Sequence, residues 1–227
     1  MSLALRYAAR SDVGQVRKGN EDSGYAGPRL LVVADGMGGH AAGELASATA
    51  VATLADLAED VLDQGEALTR LAAAVDEAGA SIGQVVADNP DLAGMGTTAT
   101  ALYWLPDGDA ARIAIVHVGD SRAYLLRDGD LGQITHDHTY VQTLVDSGRI
   151  SEDEAVNHPR RNLLMRALDG VQAVEPDLSV REARLGDRYL LCSDGLSGLV
   201  SPAEMARILG EGEPTGTVIT LVELALS

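Results

Sequence analysis

Short apolar runs alternate with longer amphipathic stretches along the chain, and together they predict a mixture of strands and helices. The Val-rich run over residues 30–34 has the length and composition of a buried strand. Residues 41–60 and 66–86 are rich in Ala, Leu and Val over lengths typical of helices. Shorter apolar runs predict further strands over residues 97–105, 112–118, 123–127, 131–135, 178–183 and 188–193, and a last helix over residues 218–226.

Turn and capping signals between these elements predict how the strands pair. Residues 106–109 (Pro-Asp-Gly-Asp) and 128–130 (Asp-Gly-Asp) separate neighbouring strands and are typical of hairpin turns. Two capping-box patterns, at residues 151–154 and 201–204, predict the starts of short helices. Because hairpins imply antiparallel sheet, this order favours an α+β or layered αββα fold over a doubly wound parallel sheet.

The composition predicts one cytoplasmic domain that spans residues 1–227. The 46% of apolar residues exclude a disordered chain, and the absence of Phe leaves the core to Leu, Val, Ile and Ala. A single Cys excludes both an internal disulfide and a Cys-based zinc site. No apolar run approaches the roughly 18 residues of a membrane span, and residues 1–10 lack the apolar stretch of a signal peptide.

The charge balance is strongly acidic, with 34 acids against 17 bases and a net charge of −17. Such a surface repels nucleic acids and anionic membranes, so we expect neither as a partner. The acids serve either solubility alone or, where they converge, the binding of hard cations. Their positions decide between these alternatives.

Three predicted strands lead into an Asp beside a Gly. Residues 30–34 lead into Asp35, residues 113–118 lead through Gly119 into Asp120, and residues 189–193 lead into Asp194. One Asp-Gly pair is an ordinary turn, but an Asp at the mouth of a buried strand needs a donor or a cation nearby. Oxygen ligands without Cys favour Mg²⁺ or Mn²⁺, and a pair of such ions suits the hydrolysis of phosphate esters.

A second cluster, Arg17-Lys18-Gly19-Asn20-Glu21-Asp22, contains the only Lys of the chain. The Arg17 guanidinium could grip two phosphate oxygens, although such a run alone is more typical of a solvated loop.

These motifs, taken together, resemble the metal-dependent protein phosphatases of type 2C, in particular the serine/threonine phosphatases of actinobacteria. The similar segments lie in the order of the family and extend from residue 17 to residue 196. They are residues 17–22, 33–40 (Val-Ala-Asp-Gly-Met-Gly-Gly-His), 96–98 (Gly-Thr-Thr), 118–122 (Val-Gly-Asp-Ser-Arg) and 192–196 (Cys-Ser-Asp-Gly-Leu).

The resemblance implies a four-layer αββα sandwich, in which two antiparallel sheets are flanked by pairs of antiparallel helices. It implies hydrolysis of phosphoserine and phosphothreonine in proteins by a hydroxide that bridges two metal ions, without a phosphoenzyme. The cofactors would be Mn²⁺ or Mg²⁺, with two core ions and a third, weaker one. Serine/threonine kinases and their targets are the expected partners, and we expect a monomer.

The resemblance also implies roles for individual residues. Asp35 would bridge the two core metals, Gly36 would offer its carbonyl, and Asp194 would bind the second metal. Asp120 would bind the third metal together with Asp194. The remaining roles would be Glu21 and Asp22 acting through metal-bound waters, Arg17 holding the substrate phosphate, His40 assisting proton transfer, Gly96, Thr97 and Thr98 supporting the site, and a mobile flap over residues 139–165.

The end of the sequence departs from the family pattern. Family members close with an Asp-Asn pair that opens a final strand and supplies a ligand to the second metal, whereas residues 218–227 belong to the predicted preceding helix. If that strand is absent, we expect weaker binding of the second metal, an exposed strand edge and weak activity. The alternative function is therefore a pseudo-phosphatase that binds phosphoproteins or kinases. A phosphatase for anti-sigma-type regulators is a further alternative, but it would normally carry a sensor domain.

The remaining chemically reactive side chains have simpler interpretations. Cys192 lacks an Arg six residues later, so we expect a buried strand residue rather than a nucleophile. We expect His136 and His138 in a loop at the base of the flap, His117 hydrogen-bonded in the core, and His158 in solvent. The glycines of residues 36–39 match no nucleotide-binding motif.

Overall fold

The computed structural model describes residues 3–39, 41–108 and 110–227. The strands are β1 (Asp22–Ala26), β2 (Leu30–Met37), β3 (Gly96–Thr97), β4 (Ala99–Asp107), β5 (Ala110–Val118), β6 (Arg122–Arg127), β7 (Asp130–Gln133), β8 (Asp177–Ala183) and β9 (Arg188–Cys192). The α-helices are α1 (Ala41–Ala55), α2 (Gln64–Asp88), α3 (Tyr140–Asp146), α4 (Glu152–Val156), α5 (Asp194–Ser197), α6 (Pro202–Leu209) and α7 (Pro214–Ala225).

Two antiparallel sheets are formed by these strands. The larger sheet has the order β1-β2-β4-β5-β8, and the short β3 pairs with the end of β2. The smaller sheet has the order β7-β6-β9. The two predicted hairpins are confirmed, because β4 pairs with β5 and β6 pairs with β7 in antiparallel register.

Helices cover the outer face of each sheet, so the predicted four-layer αββα sandwich is confirmed. Small side chains such as Ala46 and Ala50 let α1 lie close to the larger sheet, beside Leu71 of α2. Helices α6 and α7 cover the smaller sheet through Met205 and Leu221. Each fully buried Leu side chain contributes roughly 1.5–3 kcal/mol to folding.

A third apolar layer fills the space between the two sheets. The larger sheet contributes Leu102, Trp104 and Ile113, and the smaller sheet contributes Ala123 with half-buried Leu191. This inner layer holds the two sheets face to face, so the strand ends of both sheets meet at one rim of the sandwich.

The helix starts follow the predicted capping chemistry. The side chains of Ser151 and Ser201 each accept a hydrogen bond from the backbone N–H of the residue three positions later. The Glu carboxylate at that position accepts in turn from the backbone N–H of the serine. A third capping box, in which Asp63 caps α2 with Glu66, was not predicted. Each such cap is worth about 1 kcal/mol.

The structure differs from the predicted elements at several boundaries. Strand β2 continues through Asp35 to Met37, and β1 was not predicted at all. The last helix begins at Pro214 rather than at residue 218, because Pro is well tolerated in the first helical turn. Helix α1 ends at Ala55 and continues as a 3-10 turn over Asp56–Glu59.

A groove of about 1280 Å³ separates the outer strands of the two sheets. Strand β1 ends one sheet and β9 ends the other, and residues 3–26, 183–199 and 212–227 supply lining to the groove. Within the described residues β1 pairs with β2 and β9 pairs with β6, so each of these two strands has one unpaired edge. No helix within these residues combines the length and apolar character needed to cross a bilayer.

Candidate active site

Four carboxylates converge at the rim where the strand ends meet. Asp22 of β1 lies opposite Asp35 of β2 in the antiparallel register. Asp120 follows β5, and Asp194 opens α5 directly after β9. The charges of Asp22, Asp194 and Asp120 all act on the Asp35 carboxyl. Residues that are up to 172 positions apart in the sequence therefore form one acidic cluster.

Burial and mutual repulsion perturb this acidic cluster. Burial, followed by the charges of Asp22, Asp194 and Asp120, raises the pKa of Asp35 to about 8. Burial and the charges of Asp194 and Asp137 raise the pKa of Asp120 to about 6. Burial also raises the pKa of Asp22, against a hydrogen bond that lowers it. The cluster therefore holds more negative charge than its surroundings compensate, which favours a bound cation.

The backbone of Asp35 is fixed by two threonines of the Gly96-Thr97-Thr98 motif. The Asp35 N–H donates to Thr98 Oγ1 at 2.9 Å, and the Thr98 N–H donates to the Asp35 carbonyl at 2.9 Å. Thr97 Oγ1 also donates to that carbonyl at 3.0 Å. These contacts hold Asp35 in place and are consistent with the supporting role expected for the motif.

Gly36 occupies a position that no larger residue fits. A Cβ at Gly36 would lie 2.1 Å from the Gly43 carbonyl oxygen and 2.6 Å from the Glu21 carbonyl oxygen. A Cβ at Gly43 would in turn lie 2.5 Å from Glu21 Oε2. The backbone of β2 therefore lies in direct contact with the N-terminal end of α1 beside Asp35. The Glu21 side chain packs against the same part of α1.

Ser193 joins the two halves of the site, and the sequence did not indicate this role. Its Oγ donates to Asp22 Oδ2 at 2.6 Å, from the end of the smaller sheet to the edge of the larger one. This bond lowers the pKa of Asp22 and so opposes the effect of burial. The only signal in the sequence was the position of Ser193 immediately before Asp194.

Arg17 stands beside the cluster with its guanidinium in solvent. Its side chain is 73% exposed, and its Nη1 lies 3.6 Å from Glu21 Oε1. The charge of Arg17 lowers the pKa of Asp22, which places the guanidinium within electrostatic reach of the acids. An exposed planar cation next to a carboxylate cluster is suited to holding a phosphate group. His40, the other predicted catalytic side chain, lies outside the described residues.

The donor set of the cluster fits hard divalent cations. All four converging groups are carboxylates, the ligands that Mg²⁺ and Mn²⁺ prefer. Within residues 3–39, 41–108 and 110–227, however, no three His, Cys, Asp or Glu side chains already have the closed geometry of a single ion site. An open cluster suits ions that keep several water ligands and use only one or two carboxylates each.

Two further predictions, that His117 and Cys192 are buried, are confirmed. His117 is buried and contacts Thr100 Oγ1 at 2.9 Å, and burial lowers its pKa to about 4. Burial raises the pKa of the Cys192 thiol to about 12, which excludes a thiolate nucleophile at neutral pH. The expectation that His158 lies in solvent is only partly met, because the residue is half-buried and the centroid of its ring lies 6.0 Å from that of the Tyr140 ring, which is tilted against it.

The segment predicted as a flap contains α3 and α4, and its two ends are joined by a bridge between Thr139 and Leu164. His136 and His138 lie at the base of this segment, as predicted. The His136 side chain is 55% exposed and pairs with Asp146 at 2.8 Å, whereas His138 is buried.

Comparisons with known proteins show the family of this chain. The protein phosphatase 2C family profile matches residues 20–215. Serine/threonine protein phosphatase PstP of Mycobacterium tuberculosis is 56% identical over 226 residues, which are all of this chain and 43% of that protein. This chain therefore spans less than half the length of that relative. Serine/threonine phosphatase stp of Listeria innocua is 40% identical over 208 residues, which cover 88% of this chain and 81% of that protein.

Solved structures give the same result. The crystal structure of the Mycobacterium tuberculosis phosphatase PstP superimposes with a TM-score of 0.93 and 57% identity, over 99% of this chain and 93% of that one. A PstP catalytic domain in complex with two manganese ions superimposes with a TM-score of 0.89 and 55% identity, over 98% of this chain and 92% of that one.

Proposed function

Because the chain belongs to the protein phosphatase 2C family, we propose that it is a metal-dependent serine/threonine protein phosphatase. The observation that carries this proposal is the convergence of Asp22, Asp120 and Asp194 on Asp35, whose pKa is raised to about 8. Several uncompensated carboxylates held close together lower the stability of the fold. Binding of the cations that the reaction needs would account for their presence.

The proposed cofactors are Mn²⁺ or Mg²⁺, with two core ions and a weaker third ion. Asp35 and the Gly36 carbonyl would hold the core ions together with Asp194, and Asp120 would share the third ion with Asp194. Glu21 and Asp22 would act through water. When bound, such ions lower the pKa of a water molecule and neutralise charge on the phosphoryl oxygens.

The chain's own residues would orient the substrate and the acids. Arg17 would bind the phosphate of the substrate, because its exposed guanidinium can donate to two oxygens at once. Thr97 and Thr98 would keep Asp35 in one position, and Ser193 would keep Asp22 in its charged form. A role for His40 in proton transfer stays a prediction.

The proposed substrates are proteins that carry phosphoserine or phosphothreonine. Serine/threonine kinases and their targets would be the partners, with the segment over residues 139–165 acting as a flap that shapes substrate choice. We further propose that the domain acts as a monomer in the cytoplasm. The alternative of a phosphoprotein-binding module without turnover receives no support from the relatives, which are named as phosphatases.

Asp35→Asn tests the proposed function in two parallel assays. One assay measures hydrolysis of an aryl phosphate with Mn²⁺, and the other measures binding of a phosphothreonine peptide. We expect turnover of the variant to fall more than about 100-fold. Loss of a group that only supports a metal ligand costs roughly 10- to 100-fold, and Asp35 is proposed as a direct ligand. The matched control, Asp76→Asn, changes an exposed acid of α2 and should keep full activity. Peptide binding by a wild-type protein that does not hydrolyse either substrate would contradict the proposal.

A further inference from the structure

His138 lies outside the acidic cluster, yet it holds both backbone groups of the residue that precedes Asp120. The His138 N–H donates to the Gly119 carbonyl at 2.8 Å. The Gly119 N–H donates to His138 Nδ1 at 3.1 Å. His138 therefore binds both backbone groups of Gly119, one through its own backbone and the other through its imidazole. His138 is only 7% exposed.

The orientation of the His138 ring is set by its other nitrogen. Because Nδ1 accepts from Gly119, the proton of the neutral imidazole lies on Nε2, which is 3.1 Å from Asp177 Oδ2. Arg166 completes the arrangement, since its Nη1 donates to Asp177 Oδ1 at 3.0 Å and lies 3.2 Å from His138 Nε2. A carboxylate that accepts from one imidazole nitrogen and so directs the other is the usual means of fixing a functional histidine.

Gly119 transmits this constraint to the acidic cluster. Its φ of 107° lies in a region that favours glycine, and an added Cβ would lie 2.5 Å from Thr98 Cγ2. Thr98 itself accepts from the Asp35 N–H. The contacts therefore continue from His138 through Gly119 to Thr98, which holds Asp35. Asp120 is the next residue after Gly119 in the chain.

The same histidine is the point where the two ends of the flap meet. The Met165 N–H donates to the His138 carbonyl at 2.7 Å, next to the bridge between Thr139 and Leu164. Further along, Leu168 exchanges two backbone hydrogen bonds with Thr97, at 2.9 and 3.0 Å. Both ends of the flap are thus attached to the backbone that carries the acids.

From these contacts we propose that His138 is a positioning residue, which fixes the turn that bears Asp120 and connects this turn to the flap. The proposal rests on the proposed function of the acidic cluster. His138 touches no reacting group in it, and its effect passes through the Gly119 amide.

Two substitutions of His138 test the contacts of its two ring nitrogens separately. His138→Asn places an amide oxygen near the position of Nδ1 and can still accept from Gly119. His138→Gln reaches toward Asp177 and leaves the Gly119 N–H without that acceptor. The matched control is His136→Gln, which disrupts the exposed histidine–carboxylate pair of the same segment.

The measurements are amide hydrogen exchange at Gly119 in the metal-free protein, Mn²⁺ binding by calorimetry, and aryl phosphate turnover as a function of Mn²⁺. For His138→Gln we expect about tenfold faster exchange at Gly119. We also expect an about tenfold higher half-saturating Mn²⁺ concentration with little change in the KM for aryl phosphate. His138→Asn and His136→Gln should resemble the wild type in all three.

The proposal is overturned if Gly119 exchanges equally fast in all variants, or if His138→Asn weakens Mn²⁺ binding as much as His138→Gln does. If His138→Gln does not fold, His138→Leu takes its place, because it also removes the acceptor for the Gly119 N–H and keeps an apolar side chain in this buried position. Wild-type exchange at Gly119 and wild-type Mn²⁺ binding in that variant overturn the proposal, whereas faster exchange with weaker binding supports it. A wild-type protein that lacks turnover would refute the phosphatase function, whereas exchange and calorimetry would still decide the role of His138.

Discussion

The two sheets supply the acidic cluster in different ways. The larger sheet presents Asp35 within a strand, half-buried and held by hydrogen bonds to Thr97 and Thr98. The smaller sheet presents Asp194 at the first position of a four-residue helix, where the residue is exposed. The side-chain hydrogen bond from Ser193 to Asp22 spans the gap between these two halves.

This difference indicates a division of labour between the sheets. The larger sheet holds its carboxylates where burial and repulsion raise their pKa values, so its half of the site is electrostatically strained. The smaller sheet adds an acid at little cost to folding, because an exposed carboxylate keeps its hydration. Changes in the larger sheet should therefore affect both stability and activity, whereas changes at Asp194 should affect activity alone.

The largest effect that tests this division is expected for Asp194→Ala. We expect turnover to fall by at least about 100-fold, because a proposed direct ligand is lost. The free energy of unfolding of the metal-free protein should change by less than about 1 kcal/mol, as is usual for exposed residues. Mn²⁺-dependent kinetics and urea unfolding in EDTA measure the two quantities. A loss of several kcal/mol in stability would contradict the division.

Asp120→Ala should have the next largest effect, since Asp120 is proposed to hold only the weaker ion. We expect a loss of roughly 10- to 100-fold in turnover, with a modest change in stability. Even at saturating Mn²⁺ the turnover of the variant should stay below that of the wild type. Unchanged activity over the full range of Mn²⁺ concentrations would remove Asp120 from the site.

Ser193→Ala removes the hydrogen bond that joins the halves. Without this donor the pKa of Asp22 should rise further, because the bond to Ser193 is what opposes burial there. We expect an about tenfold higher half-saturating Mn²⁺ concentration and a loss of about 1 kcal/mol in stability. Ser179→Ala, at a half-buried serine on β8, is the matched control and should leave metal dependence unchanged.

The smallest effect concerns the pH dependence of the metal-free protein. The pKa of Asp35 is higher in the native state than in the unfolded chain, so the native state binds more protons and loses stability as pH rises through about 8. Between pH 6.5 and 8 we expect the wild type to lose about 1.6 kcal/mol relative to Asp35→Asn. Urea unfolding in EDTA at both pH values measures this, and a wild type that gains stability relative to the variant would contradict it.

Local sequence signals were enough to predict much of the fold. The turns at residues 106–109 and 128–130 predicted both hairpins, because their Asp and Gly residues favour tight reversals. The approach of Asp35, Asp120 and Asp194 was predicted from their place at the ends of apolar strands. The spread of the recognisable motifs over nearly the whole chain then indicated the layers of the sandwich.

The features that escaped prediction depend on contacts between distant segments. Strand β1 has the sequence Asp-Ser-Gly-Tyr-Ala, which has little intrinsic preference for a strand and forms one because β2 offers a partner. The contact of Ser193 with Asp22 joins residues 171 positions apart. The two hydrogen bonds between His138 and Gly119 likewise depend on how the end of β5 packs against the loop that precedes α3. No local sequence pattern indicates this packing.

The single tryptophan of the chain occupies an informative place. Trp104 lies in the apolar layer between the two sheets and is 9% exposed, and the chain has no Phe and six Tyr. Its indole emission therefore serves as an intrinsic fluorescent reporter of the contact between the layers. A red shift in that emission would signal that water has entered between the sheets, even under conditions in which the helices remain folded.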